Sequence, residues 1–269
     1  KSHGATGGNT ATDSAKLQLA LDNAPLGSTV FFPPGRYLTT GLTMSRQVSL
    51  RFDPGATLIG IGNDPTAHVL NVKLREAIDN SGGTTRFDNL RVYCAVGANA
   101  LSCLNLESQA DEDVSLIGVI VNGGLIFATD QMAGAAVRIA GLTSQKHLFS
   151  GTEIVNQVSN AGSDGTKFVG CNVHGIKPAF VLKLNDGAFK TGIYDCLISA
   201  RDGALVVRRG SAVDFLRNSI EQGAAYGENR NPAGASILLE ALDRDLHAIT
   251  IEGNNFVETE NKMGADNLA

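Results

Sequence analysis

A six-residue pattern, apolar at its first and sixth positions and small or polar in the middle, recurs through this chain. It reads FDNLRV from Phe87, LIGVIV from Leu116, FSGTEI from Phe149, FVGCNV from Phe168, IYDCLI from Ile193, FLRNSI from Phe215 and IEGNNF from Ile251. Successive starts differ by 29, 33, 19, 25, 22 and 36 residues. That is too irregular for a leucine-rich or hexapeptide repeat but suits a parallel β-solenoid whose turns carry loops of unequal length. A second strand-like segment lies between the units: LSCLNL from Leu101, AAVRI from Ala135, FVLKL from Phe180, ALVVRR from Ala204 and SILLE from Ser236. Strands joined by Gly, Asn and Asp turns cannot bury their inner faces singly. Stacked coil upon coil they bury one continuous core, with equivalent residues about 4.8 Å apart.

Composition agrees with a strand-and-turn chain. Of 269 residues 43% are hydrophobic, Gly is abundant at 31, aromatics are few at 6% and Trp is absent. The net charge of −5 and the lack of a basic run argue against a nucleic-acid surface. No apolar run approaches the roughly 20 residues of a membrane span, so no membrane insertion is expected. Cys94, Cys103, Cys171 and Cys196 lie in apolar contexts without zinc or redox spacing, and read as free buried thiols. Cys171 and Cys196 share the fourth position of adjacent units and should stack.

The chain opens differently. Asp13 can cap a helix from Ser14 to about Ala24, with Leu17, Ala20, Leu21 and Ala24 on one face. Such a helix would cover the open edge of the first coil. In STVFFPPGRYLTTGLTM, residues 28–44, a strand over Thr29–Phe32 is broken by Pro33, Pro34 and Gly35 and resumes near Tyr37. Proline removes a ladder donor, so this break is expected at a corner between strands.

The stretch HGATGGNTATDSAKLQLALDNAPLGSTVFFPPGRYLTT resembles the start of pectate-lyase-like right-handed β-helix domains of phage tailspikes and related polysaccharide enzymes. Gly4, Ala5, Thr12, Asp13, Leu17, Leu21, Gly27, Val30, Pro33, Pro34, Gly35 and Tyr37 match that pattern in order. Ser14 stands where the pattern has a second Asp, and the Gly/Asp loop is reduced to Gly7, Gly8 and Asn9. The likeness is strong over about 60 residues and rests elsewhere on the coil pattern alone. It implies an all-β fold, a single-stranded right-handed parallel β-helix with a short N-terminal capping helix. Residues 1–269 would form one domain, with the cap at 1–27, coils at 28–260 and a tail at 261–269. It further implies a virion-tail or extracellular setting, bacterial capsular, exopolysaccharide or O-antigen chains as partners, and a homotrimer. The matched residues are structural and transfer no catalytic group.

Aligning the second strand segments sets Asn105, Arg138, Lys183, Arg208 and Glu240 in one outward column of successive coils. Neighbouring cations about 5 Å apart repel by roughly 1 to 3 kcal/mol, so something should offset them. Either Glu240, Asp186, Asp202 or Glu107 pairs with them in a solvated network, or the column receives an acidic polysaccharide. In the second case Arg would bind a uronate bidentately, and Lys would be a base whose pKa its neighbours depress. Some uronate lyases of the superfamily use a Lys and an Arg on adjacent coils, and Lys183 with Arg208 resembles that pair. The competing chemistry, glycoside hydrolysis, needs two carboxyl groups about 5 to 9.5 Å apart. Asp186 with Asp202, Asp195 or Glu221 are candidates, with Asp164 and Glu153 behind them; turn formation is the bland alternative for Asp164, Asp186 and Asp202.

No cofactor and no metal is expected; Asp111, Glu112 and Asp113 read as a solvated loop. His3, His68, His147, His174 and His247 share no spacing and join no Ser/Asp pattern. The GATGG glycines lack the Lys-Ser/Thr of a phosphate loop. The final ETENKMGADNLA is polar, so a neighbouring subunit or further domain is expected to cover the last coil. The functional expectation is thus a tailspike-like polysaccharide depolymerase, by hydrolysis or β-elimination. A non-catalytic glycan-binding or structural tail-fibre segment and a polysaccharide C5-epimerase stand as alternatives.

Overall fold

Pro33 and Pro34 lie between two strands, outside both ladders, and the chain turns there. In the computed structural model, which describes residues 5–8, 13–76, 84–95, 98, 102–107, 118–127, 137–140, 167–175, 180–183, 191–200, 204–209, 211–223, 237–239 and 247–259, one short helix precedes a mostly β chain. The helix is α1 (Asp13–Asn23), and β1 (Thr29–Phe32), β2 (Gly35–Thr39) and β3 (Leu42–Arg46) make the first round. The second is β4 (Ser49–Phe52), β5 (Ala56–Gly60) and β6 (His68–Glu76). In each of the next two rounds a long strand is followed by a shorter one: β7 (Thr84–Cys94) by β8 (Ser102–Glu107), then β9 (Gly118–Phe127) by β10 (Val137–Ala140). Next come β11 (Lys167–Val169), β12 (Asn172–Gly175) and β13 (Phe180–Lys183), then β14 (Thr191–Tyr194), β15 (Leu197–Ala200) and β16 (Leu205–Arg209). The last rounds are β17 (Ser211–Leu216), β18 (Ser219–Gly223) and β19 (Ile237–Leu239), then β20 (His247–Glu252) and β21 (Asn255–Thr259).

All pairings among these strands are parallel, and each joins a strand to its counterpart one round later. They form a 14-stranded and a 7-stranded sheet. Inward residues therefore stack in rows. Leu50, Phe87, Val121, Phe168, Ile193 and Phe215 form one row, and Leu58, Val92, Ile126, Val173, Ile198 and Ile220 another; all are buried. Each such side chain contributes about 1.5 to 3 kcal/mol relative to exposure.

The two rows meet at a corner, and the recurrent six-residue pattern is that corner. Its third residue adopts a left-handed backbone: Asn89, Gly123, Gly170, Asp195, Arg217 and Gly253 have φ of 53, 64, 61, 53, 54 and 65°. The fourth residue reaches back into the preceding round. Cys171 Sγ–H points to Val121 O at 3.5 Å and Cys196 Sγ–H to Phe168 O at 3.7 Å. Asn218 Nδ2–H donates to Ile193 O at 3.0 Å, and Asn254 Nδ2–H to Phe215 O at 2.7 Å. In each case the acceptor is the first-position carbonyl of the previous unit. One expected unit is corrected: pairing of Val121 with Phe87 and Phe168 makes the unit VNGGLI from Val121, not LIGVIV from Leu116. The unit at Phe149 lies outside the described residues.

The four cysteines are buried and none is joined in a disulfide. Burial first, then the repulsion that a second thiolate at Cys94 would exert, pushes the Cys103 thiol well up. A hydrogen bond to Cys196, reinforced by burial, pushes Cys171 up as well. Neutral thiols of this kind are packing groups.

At the N-terminal end α1 begins one residue earlier than expected. Asp13 is buried and its Oδ1 accepts from Thr6 N–H at 3.3 Å. Leu17, Leu21 and Ala24 are buried, the two leucines within the core. Arg46 Nη1 donates to Asp22 O and Ala24 O at 2.8 and 3.0 Å, satisfying the helix C-terminus. At the proline corner Tyr37 Oη donates to Pro33 O at 2.9 Å, and its ring meets Phe32 edge-on while Phe32 stacks on Phe52. Gly7 must be glycine: a Cβ there would lie 3.0 Å from Gly35 Cα and 3.0 Å from the Tyr37 ring.

Candidate functional site

The outward column expected on the smaller sheet is not one row. Register sets Asn105 beside Arg138, and Arg138 beside Val181, whereas Lys183 pairs with Ala140 on one side and Arg209 on the other. A bulge between Leu182 and Lys183 skips Arg208, so Arg209 takes the rung assigned to Arg208. An inserted residue shifts all later ones by one place and shortens no hydrophobic pattern, which hides it in the sequence. A Lys and an Arg still occupy adjacent rungs. Nothing is described of the side chains of Arg138, Lys183, Arg208 or Arg209.

Asn105 is also corrected. Leu104 and Leu106 point inward, so Asn105 belongs to the outer face, yet it is fully buried and its Nδ2–H donates to Asn71 Oδ1 at 2.8 Å. Stacked asparagines bond along the column, which makes Asn105 a rung of an internal ladder, not a surface for substrate. Asp186, Asp202 and Glu240 lie outside the described residues, as do Asp164 and Glu153. Glu221 is half-buried, with Ser199 and Val257 on the neighbouring rungs.

The larger sheet carries a polar cluster whose side chains are described. Asp195 and Arg217 hold left-handed corner positions on consecutive rounds, where four other rounds have Gly or Asn. Arg217 Nε donates to Asp195 Oδ1 at 2.8 Å and Nη2 to Oδ2 at 2.9 Å, a bidentate pair with side chains 59% and 49% exposed. The Arg217 hydrogen bond holds the Asp195 carboxyl below its ordinary range, and Asp195 in turn raises Arg217. Beside them Tyr194 Oη donates to Asp214 Oδ2 at 2.9 Å across one rung. Burial first, then that hydrogen bond, pushes the Tyr194 phenol up to about 12. Its ring covers Gly192, which is buried beneath it; a Cβ on Gly192 would lie 2.0 Å from the ring. The cluster thus offers a phenol that is protonated at neutral pH, an ionised carboxylate and a guanidinium on one outer face.

Sequence reading missed two pairs because their members are distant in the chain. Tyr194 and Asp214 are 20 residues apart; only the Gly192 gap signals that an aromatic ring can lie down there. His68 Nδ1 and Ser102 Oγ are 2.8 Å apart on paired rungs. Ser102 is fully buried, so its hydroxyl is out of reach of a polymer. Among the described residues no group of three or more His, Cys, Asp or Glu gathers to hold a metal, and no helix is long and apolar enough to cross a membrane. Comparison with family models, with curated proteins and with solved structures returns no match.

Proposed function

We propose that the stacked strands close into a right-handed parallel β-helix of the pectate-lyase-like kind, and that the protein binds and cleaves a bacterial surface polysaccharide as tailspike depolymerases do. The observation that carries this reading is the register. Apart from the shifts at the bulges, outer-face side chains recur in rows about 4.8 Å apart, a repeat suited to an extended polymer more than to a compact ligand. The N-terminal resemblance supports it, since Asp13, Leu17, Leu21, Pro33, Gly35 and Tyr37 all belong to the cap and first round.

Two chemistries divide the reading. Lys183 and Arg209 on adjacent rungs suit β-elimination from a uronate: the arginine neutralises the carboxylate, Lys183 as the neutral amine takes the C5 proton, the C4–C5 double bond forms, and the C4–O bond breaks, its oxygen leaving with the departing sugar and taking up a proton. Hydrolysis needs two carboxyl groups, one protonated. Asp195, held ionised by Arg217, is unsuited to be the acid, which leaves Glu221 and the undescribed Asp186 and Asp202. A second reading, a non-catalytic glycan-binding segment, draws on the Asp195–Arg217 pair, whose charges already satisfy each other.

The test incubates wild type and Lys183→Ala with acidic and neutral bacterial polysaccharides, reading ultraviolet absorbance and new reducing ends. Absorbing products from acidic polymers, lost in the variant, support elimination. Reducing ends without absorbance support hydrolysis, and binding without either product leaves the adhesin reading.

A further inference from the structure

We propose that Tyr194 is a stacking platform for one pyranose ring of a glycan lying across the outer face of the larger sheet, with Asp195 and Arg217 gripping the hydroxyl groups of that sugar. This inference rests on the glycan-binding reading above and names a subsite within it.

The geometry starts from glycine. On strand β14, Ile193 points into the core, so Gly192 and Tyr194 belong to the outer face. A Cβ built on Gly192 would meet Tyr194 Cε2 at 2.0 Å, Cζ at 2.3 Å and Oη at 2.3 Å. The phenol ring therefore lies down along its own strand and fills the place a side chain at Gly192 would take. An aromatic side chain on an outer face ordinarily swings between rotamers. Here the tip is tied, because Oη donates to Asp214 on the next rung. Tyr194 is half-buried, so part of it is open to a ligand.

Such a ring suits the apolar face of a pyranose. Several C–H bonds of a sugar point to one side, their hydrogens carry partial positive charge, and the face of an aromatic ring is negative. A platform already fixed loses little side-chain freedom on binding, which favours affinity. The sugar's hydroxyl groups, at its rim, need polar partners close to the platform. Asp195 follows Tyr194 directly, and Arg217 is clamped to it with both side chains about half exposed.

The backbone adds an independent argument. Asp195 and Arg217 sit at φ of 53 and 54°, a conformation other rounds meet with glycine at Gly123, Gly170 and Gly253. A branched-free corner would be met most easily by Gly on every round. Asn89, Ala212 and Ala248 also take positive φ, so what distinguishes Asp195 and Arg217 is that their left-handed corners carry charged side chains beside the Tyr194 ring.

The experiment titrates the protein with alginate, polygalacturonate, hyaluronan, dextran and purified capsular and O-antigen polysaccharides, following tyrosine emission, which is readable because the chain has no Trp, and affinity electrophoresis. Wild type, Tyr194→Ala, Tyr194→Phe and Gly192→Ala are compared, each checked for wild-type circular dichroism. The expected result is that a glycan bound by wild type binds Tyr194→Ala about tenfold more weakly. Tyr194→Phe should retain most of the affinity, since it keeps the ring, and Gly192→Ala should resemble Tyr194→Ala, since it displaces the ring without removing it. A glycan bound equally by wild type and folded Tyr194→Ala overturns the platform while leaving the glycan reading intact. Failure of every polymer to bind wild type overturns both.

Discussion

Gln18 stands where a strand would: its Oε1 accepts from Thr43 N–H at 2.9 Å and its Nε2–H donates to Thr43 O at 2.7 Å. One side-chain amide thus occupies both backbone groups on the outer edge of β3, which is the protection an open parallel edge requires. Gln18→Ala should free that pair, cost about 1 to 2 kcal/mol and promote self-association through the exposed edge. Calorimetry and light scattering check the two effects; an unchanged thermal midpoint would mean the edge is guarded by the rest of α1.

Asn218 is the best-connected side chain of the corner column. Its Oδ1 accepts from Cys196 N–H at 2.9 Å while its Nδ2–H donates to Ile193 O. Asn218→Ala leaves both buried backbone groups unpaired and should cost about 2 to 5 kcal/mol. Chemical denaturation measures it, and a loss below 1 kcal/mol would show that water replaces the amide.

The two pairs of the polar cluster on the larger sheet, Asp195–Arg217 and Tyr194–Asp214, should titrate at opposite ends of the pH scale. The folded-state value of Asp195 lies below its ordinary 3.8, so its contribution is present above that value and lost as pH falls through the lower, folded one. The thermal difference between wild type and Asp195→Asn should therefore be constant near neutrality and vanish in strong acid. Tyr194 is raised from 10.0 to about 12, so its contribution is complete below 10 and is lost as pH rises from there through the folded value. Spectrophotometric titration should show a late tyrosine, which Asp214→Asn brings down.

If elimination is the chemistry, Arg209→Ala should lower cleavage of an acidic polymer about a hundredfold or more, as should Lys183→Ala, whereas Arg208→Ala should cost much less. Initial rates of ultraviolet absorbance distinguish them. Equal losses at Arg208 and Arg209 would refute the rung assignment.

The repeat was legible in the sequence because its chemistry is local. A left-handed third position favours Gly, Asn or Asp, which hold it in every described unit but that of Arg217, and flanking Phe, Val and Ile mark the inward rows. Where local chemistry was degenerate, pairing alone decided. Val119, Ile120 and Val121 are all apolar, so two framings fit the run, and only the partner Phe87 selects VNGGLI. Arg208 and Arg209 are alike in charge, so the bulge that exchanges them leaves no trace in composition. Asn105 reads as a surface residue until its neighbour Asn71 is known to lie on the next rung. The Tyr194 platform needed a glycine, a carboxylate and an aromatic ring brought together across rounds.

The corner side chains give the stack a polarity in time as well as in space. Val121, Phe168, Ile193 and Phe215 each offer a carbonyl that is met by a cysteine or asparagine arriving in the following unit. At these corners a finished round therefore presents an acceptor awaiting its successor. Growth from the capped end satisfies these groups in the order in which the chain leaves the ribosome, so synthesis and assembly run in the same direction.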